Sequence, residues 1–159
     1  MAREAGLPLL CPWQKLASCI LTGNKNFSEK RALKEKILIV EDNLQNMRLM
    51  EMTLRARNYV LLKATDGEEA LDIAIRERPD LIIMDIQLPK VNGLEVTKRL
   101  RQMPALSHIP IIALTAYAMK GDREKFIEAG CDAYLSKPIN TRELPGVVGK
   151  ILKRQKDNT

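Results

Sequence analysis

Polar side chains with the chemistry of a phosphoryl-transfer site stand directly after four short apolar runs. They are Glu41 and Asp42, then Asp85, Thr115 and Lys137. In a parallel sheet the carboxyl ends of the strands share one edge, so these distant residues would meet in one crevice. Neighbouring carboxylates repel one another, and a bound hard cation such as Mg²⁺ would offset that repulsion. A carboxylate, a metal ion, a hydroxyl and an ammonium group around one point are typical of phosphoryl transfer.

The stretch around Asp85 is the most informative. The apolar run that starts at Leu81 ends at this carboxylate, and a loop with Gly93 then leads into a helical pattern. Such a run, bounded by turn residues, predicts a buried strand. Taken alone, Asp85 also fits a turn, Thr115 a strand-end cap and Lys137 a solvated surface lysine. The functional interpretation depends on their shared place at the ends of successive strands.

From residue 37 onward, apolar runs and helical patterns alternate five times. The predicted strands cover residues 37–40, 59–63, 80–84, 109–114 and 131–135. The predicted helices cover about residues 44–57, 67–78, 92–102, 118–129 and 140–153. This alternation predicts an α/β fold, a doubly wound five-stranded parallel sheet with helices on both faces.

Three of these helices begin with an aspartate or asparagine that is followed three residues later by glutamate. The pairs are Asp66 with Glu69, Asn92 with Glu95, and Asn140 with Glu143. In such a capping box, each side chain accepts a hydrogen bond from the backbone N–H of the other residue. Pro145 fits the last helix poorly, because it removes a backbone donor near the first turn.

The composition fits one domain with an aliphatic core and an appendage. The chain has 159 residues, of which 45% are hydrophobic and only 4% aromatic. Its net charge is +6, and residues 1–36 hold seven basic and three acidic side chains. The rest has no basic stripe with interleaved aromatics, so we expect no nucleic-acid partner. No run of 18 apolar residues occurs, so we expect no transmembrane helix and no membrane partner.

The cysteines and the single histidine argue against several kinds of site. Cys11, Cys19 and Cys131 make an odd count without a pairing framework, which is typical of a reducing cytoplasm. Because His108 is the only histidine, neither a zinc site of the usual type nor serine–histidine catalysis is indicated.

Residues 1–36 differ in pattern from the rest, and three interpretations stay open. They could form a weakly ordered extension, an amphipathic helix that docks on a partner or lipid surface, or a targeting segment. The apolar residues at helical spacing include Leu9, Trp13, Leu16 and Ile20. Pro12 and Lys15 interrupt this apolar pattern, which argues against a targeting segment.

Residues 37 to about 153 resemble the receiver domain of two-component response regulators. The matching motifs are Ile-Leu-Ile-Val-Glu41-Asp42-Asn43, Met84-Asp85-Ile-Gln-Leu-Pro89 with Gly93, Leu-Thr115-Ala116, and Lys137-Pro138. Within that family, the chain is most similar to single-domain DivK-type regulators and to the receivers of hybrid histidine kinases. The resemblance implies a flavodoxin/CheY-like sheet with strand order 2-1-3-4-5, an order that general fold rules associate with this class.

The resemblance also implies roles for the carboxylates. Asp85 would accept a phosphoryl group from the phosphohistidine of a sensor histidine kinase or of a histidine phosphotransfer protein. Asp42, Asp85 and the carbonyl of Gln87 would hold Mg²⁺, or Mn²⁺, and Glu41 would do so through a water molecule.

Other residues would bind the phosphoryl group or report its presence. Lys137 would neutralise phosphoryl oxygens, Thr115 would donate a hydrogen bond, and the small Ala116 would leave the site open. Tyr134 matches the switch aromatic of the family, and Lys137–Pro138 matches its cis peptide. The face formed by helix four, strand five and helix five would then contact a downstream protein.

Two further roles are hypotheses from position. Gln87 and Tyr117 lie two residues beyond the phosphoacceptor and the site threonine, where they would tune hydrolysis of the acyl phosphate. Asn43, Asn46 and Met47 lie at the start of the first helix, close to the site, and would form the kinase-docking surface.

The lengths of the segments before and after the predicted receiver domain bear on whether we expect a separate output domain. Only residues 154–159 follow the predicted receiver domain, and residues 1–36 are too few for a DNA-binding or enzymatic domain. We therefore expect a cytoplasmic, single-domain phosphorelay regulator that signals through protein contacts and is not an enzyme. A fragment of a hybrid kinase stays an alternative.

Three other functions fit the sequence less well. A hydrolase that forms an aspartyl phosphate usually has a second carboxylate two residues on, where this chain has Gln87. A receiver without phosphorylation chemistry conflicts with the intact set of site residues. A flavodoxin would need a phosphate-binding loop after the first strand, where Glu41 and Asp42 would repel phosphate.

Overall fold

The computed structural model describes residues 34–116 and 122–158, in which five strands alternate with five helices. The strands are β1 (Lys36–Val40), β2 (Val60–Ala64), β3 (Leu81–Asp85), β4 (Ile111–Thr115) and β5 (Ala133–Ser136). The helices are α1 (Leu44–Arg55), α2 (Gly67–Glu77), α3 (Gly93–Gln102), α4 (Asp122–Glu128) and α5 (Leu144–Asp157). The strand bounds differ from the predicted ones by one or two residues.

The strands form one parallel sheet in the order β2-β1-β3-β4-β5, which confirms the predicted fold class. The register aligns the strand ends that carry the polar residues. Val40 lies opposite Met84, so Glu41 and Asp85 follow at the same level of neighbouring strands. Asp85 in turn lies opposite Leu114, one residue before Thr115.

The sheet is covered on both faces. Alternate residues of the central strands point to opposite sides, and β1, β3 and β4 are almost entirely buried. Helices α1 and α5 pack on the face that includes Ile37 and Ile83. Helices α2, α3 and α4 pack on the face that includes Leu38 and Ile82. Burial of each such side chain contributes about 1.5–3 kcal/mol, so the strand ends are held by a rigid core.

The last helix begins later than predicted and ends later too. The prediction that Asn140 caps it is wrong, because α5 starts at Leu144 and Glu143 is its N-cap. Asn140 closes a preceding turn, where its side chain accepts a hydrogen bond from Arg142 N at 3.0 Å. Pro145 then falls in the first turn, where no backbone donor is required. Because α5 runs to Asp157, residues 154–157 form its last turn and not a tail.

Of the two other capping boxes, the one at Asp66 is half formed and the one at Asn92 is not formed. Asp66 accepts from Glu69 N at 2.9 Å as expected, but Glu69 bonds back to the backbone and hydroxyl of Thr65. Asn92 accepts from the N–H of Leu94, and Glu95 pairs with Arg99 at 3.5 Å. In both helices, the glutamate finds a partner outside the box.

Several predictions fall outside the described residues. They concern residues 1–33, including Cys11 and Cys19, the start of the predicted fourth helix at 118–121, and Tyr117. Within residues 34–116 and 122–158, none of the helices has the length and apolar character that a membrane span requires.

Candidate functional site

Three carboxylates converge at the carboxyl edge of the sheet. Glu41, Asp42 and Asp85 each place one carboxylate oxygen within 4.8 Å of the others. Glu41 and Asp85 are each 1% exposed, whereas Asp42 is exposed. Three negative groups at this separation repel one another, and oxygen ligands in such a cluster suit a hard divalent cation. The site is therefore chemically suited to Mg²⁺.

Lys137 is the cation that the described residues place in this cluster. Its Nζ lies 2.7 Å from Asp85 Oδ2 and 2.9 Å from Glu41 Oε2. The ammonium also donates a hydrogen bond to the other carboxylate oxygen of Glu41, Oε1, at 3.2 Å. Partial burial lowers the pKa of the ammonium group, but the bonds to Asp85 and Glu41 outweigh it, so the pKa of Lys137 is raised. The lysine is thus held protonated between the two carboxylates.

The position of Lys137 follows from the sheet and the turn after it. Its backbone N–H donates to Thr115 O at 2.7 Å, which extends the pairing of β4 and β5 by one step. The peptide bond between Lys137 and Pro138 is cis. Ile139 is then buried in the core beside α1 and α5. The side chain of Lys137 therefore leaves the sheet directly beside Asp85.

The loop after β3 holds the Asp85 carboxylate from its other side. Gln87 N donates to Asp85 Oδ1 at 3.0 Å, while the Gln87 residue itself is exposed. Gly93 N donates to Ile86 O at 3.0 Å and brings the start of α3 against this loop. A Cβ at Gly93 would lie 2.1 Å from the Asp85 carbonyl oxygen, so no other residue fits without a backbone shift. The requirement for glycine at position 93 is therefore steric.

The predicted switch residues lie close by in the fold. Thr115 ends β4 and is 4% exposed, and Ala116 follows it at the surface. Tyr134 is 41% exposed on β5. Its ring packs against Phe126 of α4, with ring centroids 5.9 Å apart. In this structure Tyr134 therefore contacts α4 at the surface.

The predicted docking residues have three different environments. Asn43 caps α1, where its side chain accepts from Gln45 N at 2.9 Å and Asn46 N at 3.2 Å. Met47 is 4% exposed and lies in the core, so its assignment to a docking surface is wrong. The spacing of Met47, Met50 and Leu54 is the helical signal that could have shown this.

Asn46 carries a contact that the sequence analysis missed. Its side-chain Nδ2 donates to Glu41 Oε1 at 3.2 Å. The five-residue separation spans the loop between β1 and α1, so no helical or strand periodicity relates the two residues.

The comparisons with known proteins agree with this geometry. The family model described as the response regulator receiver domain matches residues 37–148. The polar-differentiation response regulator DivK of Brucella anthropi is 54% identical over 106 residues, which are 67% of this chain and 86% of that protein. DivK of Brucella ovis is 53% identical over the same shares of the two chains.

The chain is also similar to solved structures of a response regulator and of a receiver domain. The receiver domain of a sensor histidine kinase from Pseudomonas aeruginosa, solved with a magnesium ion coordinated in its active-site cleft, is 38% identical with a TM-score of 0.70. The alignment covers 76% of this chain and 98% of that one. The chemotaxis response regulator CheY4 of Vibrio cholerae is 29% identical with a TM-score of 0.71, covering 74% and 98%.

Proposed function

Because the chain belongs to the response regulator receiver domain family, we propose that it accepts a phosphoryl group on Asp85. The donor would be a phosphohistidine of a sensor histidine kinase or histidine phosphotransfer protein. The observation that carries this proposal is the buried Asp85 carboxylate, with Oδ2 held 2.7 Å from the Lys137 ammonium beside two further carboxylates. The protein would act as a two-component signalling phosphoprotein and not as an enzyme that turns over a substrate.

The cluster also supports a cation site. Glu41, Asp42 and Asp85 would hold Mg²⁺, or the similar Mn²⁺, with the Gln87 carbonyl as a further ligand. Glu41 Oε2 is buried and faces the positive charge of Lys137 at 2.9 Å, a position that also suits an oxygen near a bound cation. When bound, the ion would neutralise the carboxylates and the incoming phosphoryl group.

Residues around Asp85 would carry out the transfer itself. An Asp85 carboxylate oxygen forms the new bond to phosphorus, while the phosphorus–nitrogen bond breaks and the imidazole leaves with its electron pair. Gln87 N keeps the other face of the carboxylate oriented through Oδ1. The Lys137 ammonium would then bind the negatively charged phosphoryl oxygens, and the Thr115 hydroxyl would donate a hydrogen bond to one of them.

The output would arise from the added charge. A phosphoryl group brings nearly two negative charges and several acceptors. Movement of Thr115 toward it would open space for Tyr134 to leave its surface contact with Phe126. That change would shift the equilibrium between two conformations of the surface formed by α4, β5 and α5. This surface would contact the downstream protein. Gln87 and Tyr117 would set how quickly water hydrolyses the acyl phosphate.

The donor protein would dock at the start of α1. Asn43 is exposed beside the carboxylate cluster, and Leu44 is 66% exposed next to it. The proposal rests on the position of these two exposed residues beside the reactive carboxylates. Charge substitution at Leu44 should slow transfer from a protein donor and leave transfer from acetyl phosphate unchanged.

Intact mass after incubation with acetyl phosphate tests the proposal. The native chain should gain one phosphoryl group only when Mg²⁺ is present, and Asp85→Asn should gain none. Asp72→Asn, which alters an exposed acid on α2, is the matched control and should behave as the native chain. A gain on Asp85→Asn equal to that of the native chain would contradict the proposal.

A further inference from the structure

The Glu41 carboxylate is held by donors of two kinds. It is 1% exposed, and the donors to its Oε1 are the Lys137 ammonium and the Asn46 amide, both at 3.2 Å. The backbone N–H of Asn43 also points to Oε1 at 3.4 Å. Oε2 has no hydrogen bond from the described residues. The Asn46 and Asn43 donors therefore both lie on Oε1, whereas Oε2 faces the cluster, 2.9 Å from the Lys137 ammonium that also contacts Asp85.

Asn46 is fixed in place by its own helix. It lies in the first turn of α1, and its backbone N–H donates to the capping side chain of Asn43. Its side chain is half-buried, unlike that of its exposed neighbour Gln45. Because a carboxylate only accepts hydrogen bonds, the amide nitrogen of Asn46 must be the atom that faces Glu41.

We propose that Asn46 is a positioning residue for the cation site, which holds Glu41 through Oε1 so that Oε2 stays turned toward the cation. The inference rests on the proposed function, since it deepens the role of the same cluster. It assigns Asn46 to the cation site instead of the docking surface expected from the sequence.

The neutral charge of the amide is central to this role. Lys137 is shared between Glu41 and Asp85, and it would follow the phosphoryl group once Asp85 is modified. Asn46 would then be the side-chain donor that still orients Glu41. A charged donor here would neutralise Glu41 and weaken its attraction for a cation, whereas an amide orients the carboxylate and leaves its charge intact.

Calorimetric titration of the full chain with Mg²⁺ alone tests the inference without any phosphodonor. Asn46→Ala should bind Mg²⁺ about tenfold more weakly, the lower end of what loss of an outer hydrogen bond costs a metal site. Asn46→Gln keeps an amide donor and should regain part of that affinity. Gln45→Ala removes the neighbouring exposed amide and should bind Mg²⁺ as the native chain does.

Thermal unfolding without Mg²⁺ separates positioning from a merely structural role. A structural role would lower the Tm of Asn46→Ala and leave the Mg²⁺ affinity unchanged, which would overturn the inference. Equal losses of affinity in Asn46→Ala and Asn46→Gln at unchanged Tm would also count against it.

The proposed function fails in a different way. If the native chain neither binds Mg²⁺ nor gains a phosphoryl group from acetyl phosphate, the proposed function is wrong and the inference falls with it. If the native chain does both and Asn46→Ala binds Mg²⁺ equally well, only the positioning role of Asn46 is refuted.

Discussion

Replacement of Lys137 by methionine removes the ammonium group between two buried carboxylates. Its Nζ lies 2.7 Å from Asp85 and 2.9 Å from Glu41, both 1% exposed. At an effective dielectric constant of about 20, each such contact is a gross attraction of roughly 6 kcal/mol, part of which offsets desolvation. Breaking a buried pair by removing one partner typically costs about 3–5 kcal/mol. We expect Lys137→Met to lower the free energy of unfolding by that amount when Mg²⁺ is absent.

Mg²⁺ and pH should change this loss in defined directions. Mg²⁺ supplies positive charge to the same carboxylates, so saturating Mg²⁺ should restore much of the stability. The pKa of Lys137 is raised from 10.5 in the folded chain, so its contribution is complete below that pH. It is lost as the pH rises above 10.5, because the unfolded chain then releases the proton first. The difference between native chain and variant should therefore shrink as the pH rises above 10.5.

Urea unfolding midpoints, with and without Mg²⁺, measure these changes. In an Asp85→Asn background one of the two carboxylates is already neutral, so Lys137→Met should cost clearly less there. Lys98→Met removes an exposed lysine on α3 and should leave the midpoint unchanged. The reasoning is refuted if Lys137→Met costs below about 1 kcal/mol without Mg²⁺, or if its cost is the same in both backgrounds.

Three further predictions concern the scaffold and are read by urea unfolding unless stated. Gly93→Ala should destabilise by about 1–3 kcal/mol through its clash with backbone, whereas Gly149→Ala, with open space at its Cβ, should stabilise by about 0.5–1 kcal/mol. Burial raises the pKa of Cys131 to about 11, so peptide-mapped alkylation at pH 8 should be far slower in the folded chain than in urea; equal rates would contradict this. Arg101 bonds three backbone carbonyls and a carboxylate, so Arg101→Lys should destabilise by about 1–3 kcal/mol, and exposed Arg99→Lys should not.

The fold was predictable because its strands obey simple rules. The central strands are buried on both faces, so they read as continuous apolar runs such as Ile37–Val40. Right-handed crossovers then leave few ways to order the sheet. The start of α5 was not predictable in this way, because Asn140 and Glu143 have the spacing of a capping box but close a separate turn. Local spacing does not distinguish these two structures.

The site was predictable only where strand ends determine it. Asp85 and Lys137 follow from the register of a parallel sheet, since that geometry brings strand ends together regardless of sequence separation. The bond from Asn46 to Glu41 depends on how the loop after β1 turns into α1, which no periodicity encodes. Met47 was assigned to the docking surface from its place near the start of α1, whereas its helical spacing with Met50 and Leu54 puts it in the core.

The most direct measurement is the location of the phosphoryl group. Borohydride reduces an aspartyl phosphate to homoserine, so peptide mass analysis of the chain after acetyl phosphate and Mg²⁺ identifies the modified residue. We predict homoserine at position 85 alone, and none when Mg²⁺ is withheld. Homoserine at Asp42 or at another aspartate, with position 85 unchanged, would contradict the assignment of Asp85 as the phosphoacceptor.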